Sequence, residues 1–228
     1  MILRLELIQR APGLSDEAFR RRWRGAVADC AAQLPGLRRH EQNHVIDHVQ
    51  RGIDYRRGPE QLDGLSAFWF DDEAAMQAAM ASDAGRALAD AGRDVIGQRR
   101  SLLIEPIEVI APADSRPLIK RMSTLRRRAG VSTETFRHEW HDLHARLVKR
   151  IPQVRGYRQN PVLAREAPAG AAADYAALPI DGIVELWFDD AATLDAAFAS
   201  PQGATLMTHA LEFIDEITTF LVERHVIV

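Results

Sequence analysis

Residues 13–23, GLSDEAFRRRW, return as residues 130–140, GVSTETFRHEW, a displacement of 117 positions. The same displacement brings Pro35, Arg38, Gln42 and Asn43 onto Pro152, Arg155, Gln159 and Asn160. One extra residue then changes it to 118, and Asp63, Gly64, Trp69, Phe70, Asp71 and Asp72 meet Asp181, Gly182, Trp187, Phe188, Asp189 and Asp190. Self-similarity over such a length means that one structural unit is encoded twice. The segment APADSRP, residues 111–117, carries the prolines and small polar residues of a connection. The expected division is therefore residues 1–112 and 113–228, with the junction near Asp114.

Each copy follows one pattern. LRLELIQ, residues 3–9, alternates as a strand, and residues 15–34 read as a helix with Ser15 as N-cap and acids in the first turn. After a turn at Pro35 and Gly36 come a strand over residues 37–46 and a second over residues 64–70. Helical residues 72–97 and a last strand over residues 99–109 complete the copy. This β-α-β-β-α-β order is the ferredoxin-like split unit, with helices on one sheet face and the other face bare. Two bare faces can bury each other. The expected fold is α+β: two tandem ferredoxin-like repeats closing as an eight-stranded sandwich or barrel with helices outside, a monomeric pseudo-dimer that could form a further homodimer through exposed strand edges.

The chain of 228 residues is 46% hydrophobic and 27% charged, the balance of an ordinary globular protein. Its formal net charge of −3 is not the basic footprint of a nucleic-acid binder. Cys30 is the single cysteine, so neither an intramolecular disulfide nor a cysteine zinc cage can form, which fits a reducing compartment. Arg4 and Glu6 interrupt the apolar residues of MILRLELIQR, which argues against a signal peptide or membrane span there. A cytoplasmic protein with no membrane or nucleic-acid partner is expected.

Phe136, Trp140 and His144 form F-x-x-x-W-x-x-x-H; Tyr157, Gln159 and Asn160 form Y-x-Q-N; and residues 181–190 read DGIVELWFDD. In these motifs the chain resembles the EthD-type domain of the dimeric α+β barrel superfamily, over nearly its whole length as two tandem domains. The resemblance implies small-molecule work, since the wider superfamily includes cofactor-independent monooxygenases, lactone isomerases, polyketide cyclases and dehydratases. It also maps the histidine of the helix motif onto His144.

At about 100° per residue, Phe136, Trp140, Leu143, His144 and Leu147 share one helix face, with His141 beside them and His138 further round. A metalloprotease H-E-x-x-H would need histidine where Asp142 stands. His141 and His144 could chelate as an i, i+3 pair, but spacing supplies no third ligand, so no metal is expected. The first copy has Val27 in place of His144. An aliphatic side chain can therefore fill this face, and a buried imidazole needs partners to offset its desolvation. A packed core histidine is the plain reading; a neutral, partly desolvated general base is the functional one. Glu185 stands against Ala67 in the same way, and period two places Glu185 and Trp187 on one strand face with Val184, Leu186 and Phe188 on the other. If the apolar face packs on helices, Glu185 points to the bare side, away from His144.

The functional expectation is a cofactor-free enzyme acting by proton transfer on a small apolar or aromatic metabolite such as a carbonyl or lactone. His144 would be its base, beside the hollow where the two sheets close. Trp140 would form a wall, Tyr157, Asn160 and His141 would orient the ligand, and Glu185 and Trp187 are further candidate ligand contacts. The alternatives are a non-catalytic protein that holds a hydrophobic ligand and a cofactor-independent oxygenase. The four tryptophans at matched positions read first as core. The arginine runs at residues 20–24 and 126–128 read as solvated or ion-paired faces, and the alanine- and proline-rich residues 165–179 as a mobile loop able to cover a pocket.

Overall fold

A computed structural model of the chain describes residues 1–112, 117–166 and 171–228. The junction expected near Asp114, and residues 167–170 of the expected loop, lie outside the described residues. The first half runs β1 (Ile2–Arg10), α1 (Asp16–Arg22), a π-helical turn (Trp23–Val27), α2 (Ala28–Ala31), β2 (Arg39–Asp47), β3 (Gly64–Phe70), α3 (Glu73–Ala81), α4 (Asp83–Gly92), β4 (Ile96–Ile104) and β5 (Ile107–Ile110). The second half runs β6 (Ile119–Arg127), α5 (Thr133–Arg137), a π-helical turn (His138–His144), α6 (Ala145–Val148), β7 (Gly156–Glu166), β8 (Gly182–Phe188), α7 (Ala191–Ala199), α8 (Pro201–Phe213) and β9 (Ile214–Val226).

Matching residues start matching elements. The Ser15 and Ser132 hydroxyls accept from the amides of Ala18 and Thr135, and Asp72 and Asp190 cap α3 and α7. The single helix expected over residues 72–97 is in fact two. Ser82 takes an extended backbone, ends α3 and caps α4 through the Gly85 amide, and Ser200 repeats the device. The last strand of the first half is likewise divided, because Pro106 interrupts the run between β4 and β5.

Strand order is β4-β1-β3-β2-β9-β6-β8-β7-β5, and β4 also pairs with β7. Eight antiparallel strands thus close into a ring, and β5 continues beside β7 where β4 leaves off. The halves are joined by backbone pairs at two seams, β2 with β9 and β4 with β7. Inside lies one apolar core that includes Leu3, Leu5, Leu65, Leu102, Met122, Ile183 and Phe220. Outside, each half packs its helices on its own sheet: Phe19, Trp23, Phe68 and Leu88 in the first, Phe136, Trp140, Tyr157, Leu186, Phe188 and Leu206 in the second. Among the described residues no helix is long and apolar enough to cross a membrane.

The π-helical turns shift the helix faces. Leu143, expected on the inward stripe, is 37% exposed, whereas Ala145 and Val148 are buried with His144. A turn with i→i+5 bonding holds more residues than the regular 3.6, so a straight count of about 100° per residue fails beyond it. The tryptophans divide between layers: Trp23 and Trp140 lie under the helices, and Trp69 lines the barrel. Each helix tryptophan lies over a strand glycine. A β-carbon on Gly64 would stand 2.2 Å from the Trp23 ring, and one on Gly182 would stand 2.3 Å from the Trp140 ring. Gly182→Ala should therefore overpack the layer and lower stability by about 1–3 kcal/mol. Gly64→Ala should do so by a similar amount. Urea unfolding of either variant at the parent midpoint would contradict this packing.

Candidate functional site

Alternation along β7 separates the candidate residues. Tyr157 and Gln159 project into the helix layer, whereas Arg158 and Asn160 project into the barrel. Residues three apart on a strand cannot share a face. Asn160 therefore does not join Tyr157 around one ligand, a correction to the expected orienting set. Glu185, which bonds Asn160, also lies in the barrel, with Trp187 beside its partner Lys120. What gathers under the helices is Trp140, His144 and Tyr157.

These three line a cavity of about 40 Å³ between the second half's helices and its sheet. Its remaining wall is largely apolar and includes Leu125, Val184, Leu186, Phe198, Leu206 and Met207. His144 is therefore beside the helix–sheet layer and not beside the hollow enclosed by the two sheets, because the helix that carries it packs on the outer face. It is buried at 8% exposure, and its Nδ1 lies 3.1 Å from Nδ1 of His209 on α8. The other nitrogen of His209, Nε2, lies 3.1 Å from an oxygen of Glu139. An ionised carboxylate only accepts, so His209 donates from Nε2 to Glu139. A neutral His209 then accepts at Nδ1, and His144 donates from its own Nδ1. His144 Nε2 is left with a lone pair and, among the described residues, no hydrogen bond. Burial, reinforced by the charge His209 can carry, pulls the His144 pKa down to about 3, so the ring is neutral at physiological pH.

Arg121 and Ser123, on β6, line the same cavity. Arg121 donates from Nε to the Ser123 hydroxyl at 3.4 Å and from Nη1 to the Arg51 carbonyl at 3.2 Å, with Phe198 against its guanidinium. His141 lies one layer back. Its Nδ1 is 2.7 Å from the Gln159 carbonyl oxygen, and the Gln159 amide donates to the Trp140 carbonyl and the Tyr157 hydroxyl at 2.7 and 2.6 Å. Burial lowers the His141 pKa and raises that of Tyr157. His141 thus fixes Gln159, which in turn fixes the tyrosine. His138 faces solvent with Asp142, 2.9 Å away.

Inside the barrel Glu185 is held by Lys120 at 2.6 Å, Asn160 at 2.8 Å and Arg158 at 3.3 Å. Burial alone would raise its pKa, but the two cations and the Lys120 and Asn160 hydrogen bonds outweigh burial and bring it down to about 2. Lys120 reaches across to Asn43 at 2.9 Å, and it lies over Trp187 with Arg158 nearby. The first half has Leu3 and Ala67 where the second has Lys120 and Glu185. Lys120 and Arg158 compensate the charge of Glu185, and Glu41 lies 3.6 Å from Lys120.

Reading from the sequence missed His209, Glu139 and Arg121. The half-to-half comparison that singles out His144 would also have found His209, since Ala91 is its counterpart. His141 and His144 direct their Nδ1 atoms to different partners, Gln159 and His209. Glu139, His209 and Glu212 bring one ligand atom each to within 4.8 Å of one another, a grouping that could hold a cation. On the first half, the arginine run borders an open cleft of about 380 Å³ with His44 and His225. Arg20 and Arg21 pair there with Asp16 and Glu17, as a solvated face requires. That cleft is larger and lined by charged side chains, whereas the cavity at His144 has a mostly apolar wall.

Among curated proteins, none matches this sequence. Three solved structures share the fold over 99% of the chain. They are a candidate monooxygenase of Lactobacillus acidophilus NCFM (10% identity, TM-score 0.61, 94% of that chain), an anthrone oxidase-like protein (11%, 0.64, 93%), and a candidate monooxygenase of Fusobacterium nucleatum (6%, 0.65, 93%). The EthD domain family matches at residues 11–95 and again at 128–217, once in each half. The chain belongs to the EthD family, carrying its domain in tandem.

Proposed function

We propose that this chain takes a small, largely apolar metabolite, a carbonyl, lactone or aromatic compound, into the helix–sheet cavity of its second half, where His144 removes a proton. The observation that carries this reading is the hydrogen-bond chain from His144 through His209 to Glu139, which starts at an apolar cavity wall. A buried imidazole held near a pKa of 3 cannot retain a proton by itself. The chain removes that difficulty. As Nε2 of His144 takes the substrate proton, its Nδ1 proton passes to His209, and the Nε2 proton of His209 passes to Glu139. The product state holds a neutral carboxylic acid and two neutral rings, so the proton leaves no charge on the buried imidazoles, and the negative charge stays with the deprotonated ligand.

Trp140 and Tyr157 form the polar-tipped part of the wall, and His141 acts only by positioning Gln159 and Tyr157. The resting cavity has room for a few water molecules, so a ligand enters when wall side chains rotate. Met207, with three flexible bonds, is suited to that movement. The first half, with Val27 in place of His144, serves as the structural complement that closes the barrel. The apolar remainder of the wall favours, as a second reading, a protein that holds such a metabolite without converting it. Oxygenation, suggested by the descriptions of the structural neighbours, would begin with the same proton removal, because the resulting carbanion or phenolate is the species that can reduce oxygen.

Proton removal can be followed before the full reaction is known. Ketones, lactones and aromatic acids that raise the melting temperature should exchange their acidic C–H for deuterium in D₂O, observed by NMR. His144→Ala should slow the exchange by about 10²–10⁴-fold, and Glu139→Gln should slow it less. Exchange at the parent rate in His144→Ala would refute the assignment of the base.

The neutral state of His144 has its own signature. Its pKa is about 3 when folded and about 6.5 when unfolded. The unfolded chain therefore binds the extra proton, and stability falls as pH drops from about 6.5 towards 3. His144→Phe removes this contribution. Its unfolding free energy should decline less steeply than the parent's between about pH 6 and 4, by on the order of 1 kcal/mol per pH unit. Identical slopes would mean that the ring is not buried neutral.

A further inference from the structure

Arg121 carries a buried charge that has no ion-pair partner among the described residues. It is buried at 4% exposure on the cavity wall and, among the described residues, makes no salt bridge. Charged side chains are seldom buried without a counter-ion, because desolvation is repaid only by a close opposite charge. Ser123 and the Arg51 carbonyl take its Nε and Nη1, Phe198 lies 4.3 Å from its guanidinium carbon, and Nη2 has no hydrogen bond among the described residues. Burial lowers its pKa to about 9, against a weaker pull upward from Asp195, so it remains charged at neutral pH.

The first half shows what is missing. Arg4, the counterpart of Arg121, is paired with Glu6 at 3.3 Å and Glu166 at 2.6 Å. Ser123 stands at the position of Glu6. The second half therefore has the cation without the carboxylate, and Arg121 lines the cavity that also holds the proton acceptor. A fixed positive charge in a water-poor pocket is a strong attractor for an anionic oxygen, and a guanidinium can hold one with two parallel N–H bonds.

We propose that Arg121 binds an anionic oxygen of the ligand, so that the cavity selects apolar molecules bearing a carboxylate or phenolate, or a carbonyl that becomes an enolate when His144 takes the proton. The assignment rests on the cavity being the ligand site, as set out above, and adds the substrate class. It also gives His144 a partner: the electron pair released from the C–H bond moves onto the oxygen held by Arg121, while the proton leaves towards Glu139.

Matched probes separate these points. Benzoate and benzamide, and phenylacetate and phenylacetamide, are titrated at constant ionic strength into the full chain, Arg121→Met and Arg121→Gln, with urea unfolding confirming the fold of each variant. The glutamine variant keeps hydrogen bonding without the charge, in case methionine impairs folding. The parent should bind each acid at least about tenfold more tightly than its amide, and both variants should lose that preference while binding the amides as before. An acid preference that survives in Arg121→Gln overturns the assignment. Equal binding of acid and amide by the parent also overturns it for carboxylates and leaves the cavity as a ligand site; a neutral ketone whose deuterium exchange then falls at least about tenfold in Arg121→Gln would retain Arg121 as the enolate partner, and exchange at the parent rate would remove that role too. If the parent binds none of the four probes and exchanges no ketone, the cavity is not the ligand site and the proposed function falls with it.

Discussion

Backbone pairing at the β2–β9 and β4–β7 seams closes the ring and removes from water two sheet faces that each half alone would expose. Leu3, Leu5, Leu65, Leu102, Met122, Ile183 and Phe220 come from both halves and meet in one core. Neither half has that core without the other. With the inner faces packed against each other, the cavity that His144 lines lies in the outer layer between sheet and helices.

Duplication supplied two such outer layers, and the side chains have diverged between them. The first is filled: Trp23 and Phe68 pack under the helix, Glu6 neutralises Arg4, and Val27 and Ala91 occupy the positions of His144 and His209. The second replaces Glu6 with Ser123, Val27 with His144 and Ala91 with His209. Each exchange introduces an imidazole or removes a counter-charge, and all of them are at or next to a single cavity. The barrel interior diverged differently. Lys120 and Glu185 stand where the first half has Leu3 and Ala67, and they compensate each other's charge.

The repeat, the element order and the closing of two bare faces were legible in the sequence because a shift of the chain against itself and the two-residue strand period carry that information directly. The same two-residue period separates Tyr157 from Asn160 on β7, so the side of the sheet that each faces is equally legible. Two features were beyond a linear reading. The π-helical turn at residues 138–144 rotates Leu143 outward, and no residue type in that stretch announces it. His209 and Glu139 meet His144 across 65 residues and five residues of chain respectively, and only the packing of α8 on the π turn joins them.

The central claim is the direction of the hydrogen bonds from the cavity to Glu139. Two-bond proton–nitrogen correlation spectra of the histidine rings at neutral pH report the tautomer of each ring directly. The account predicts a proton on Nδ1 and a bare Nε2 at His144, with the proton of His209 on Nε2. A spectrum with the His144 proton on Nε2 would leave no acceptor facing the cavity and would contradict it.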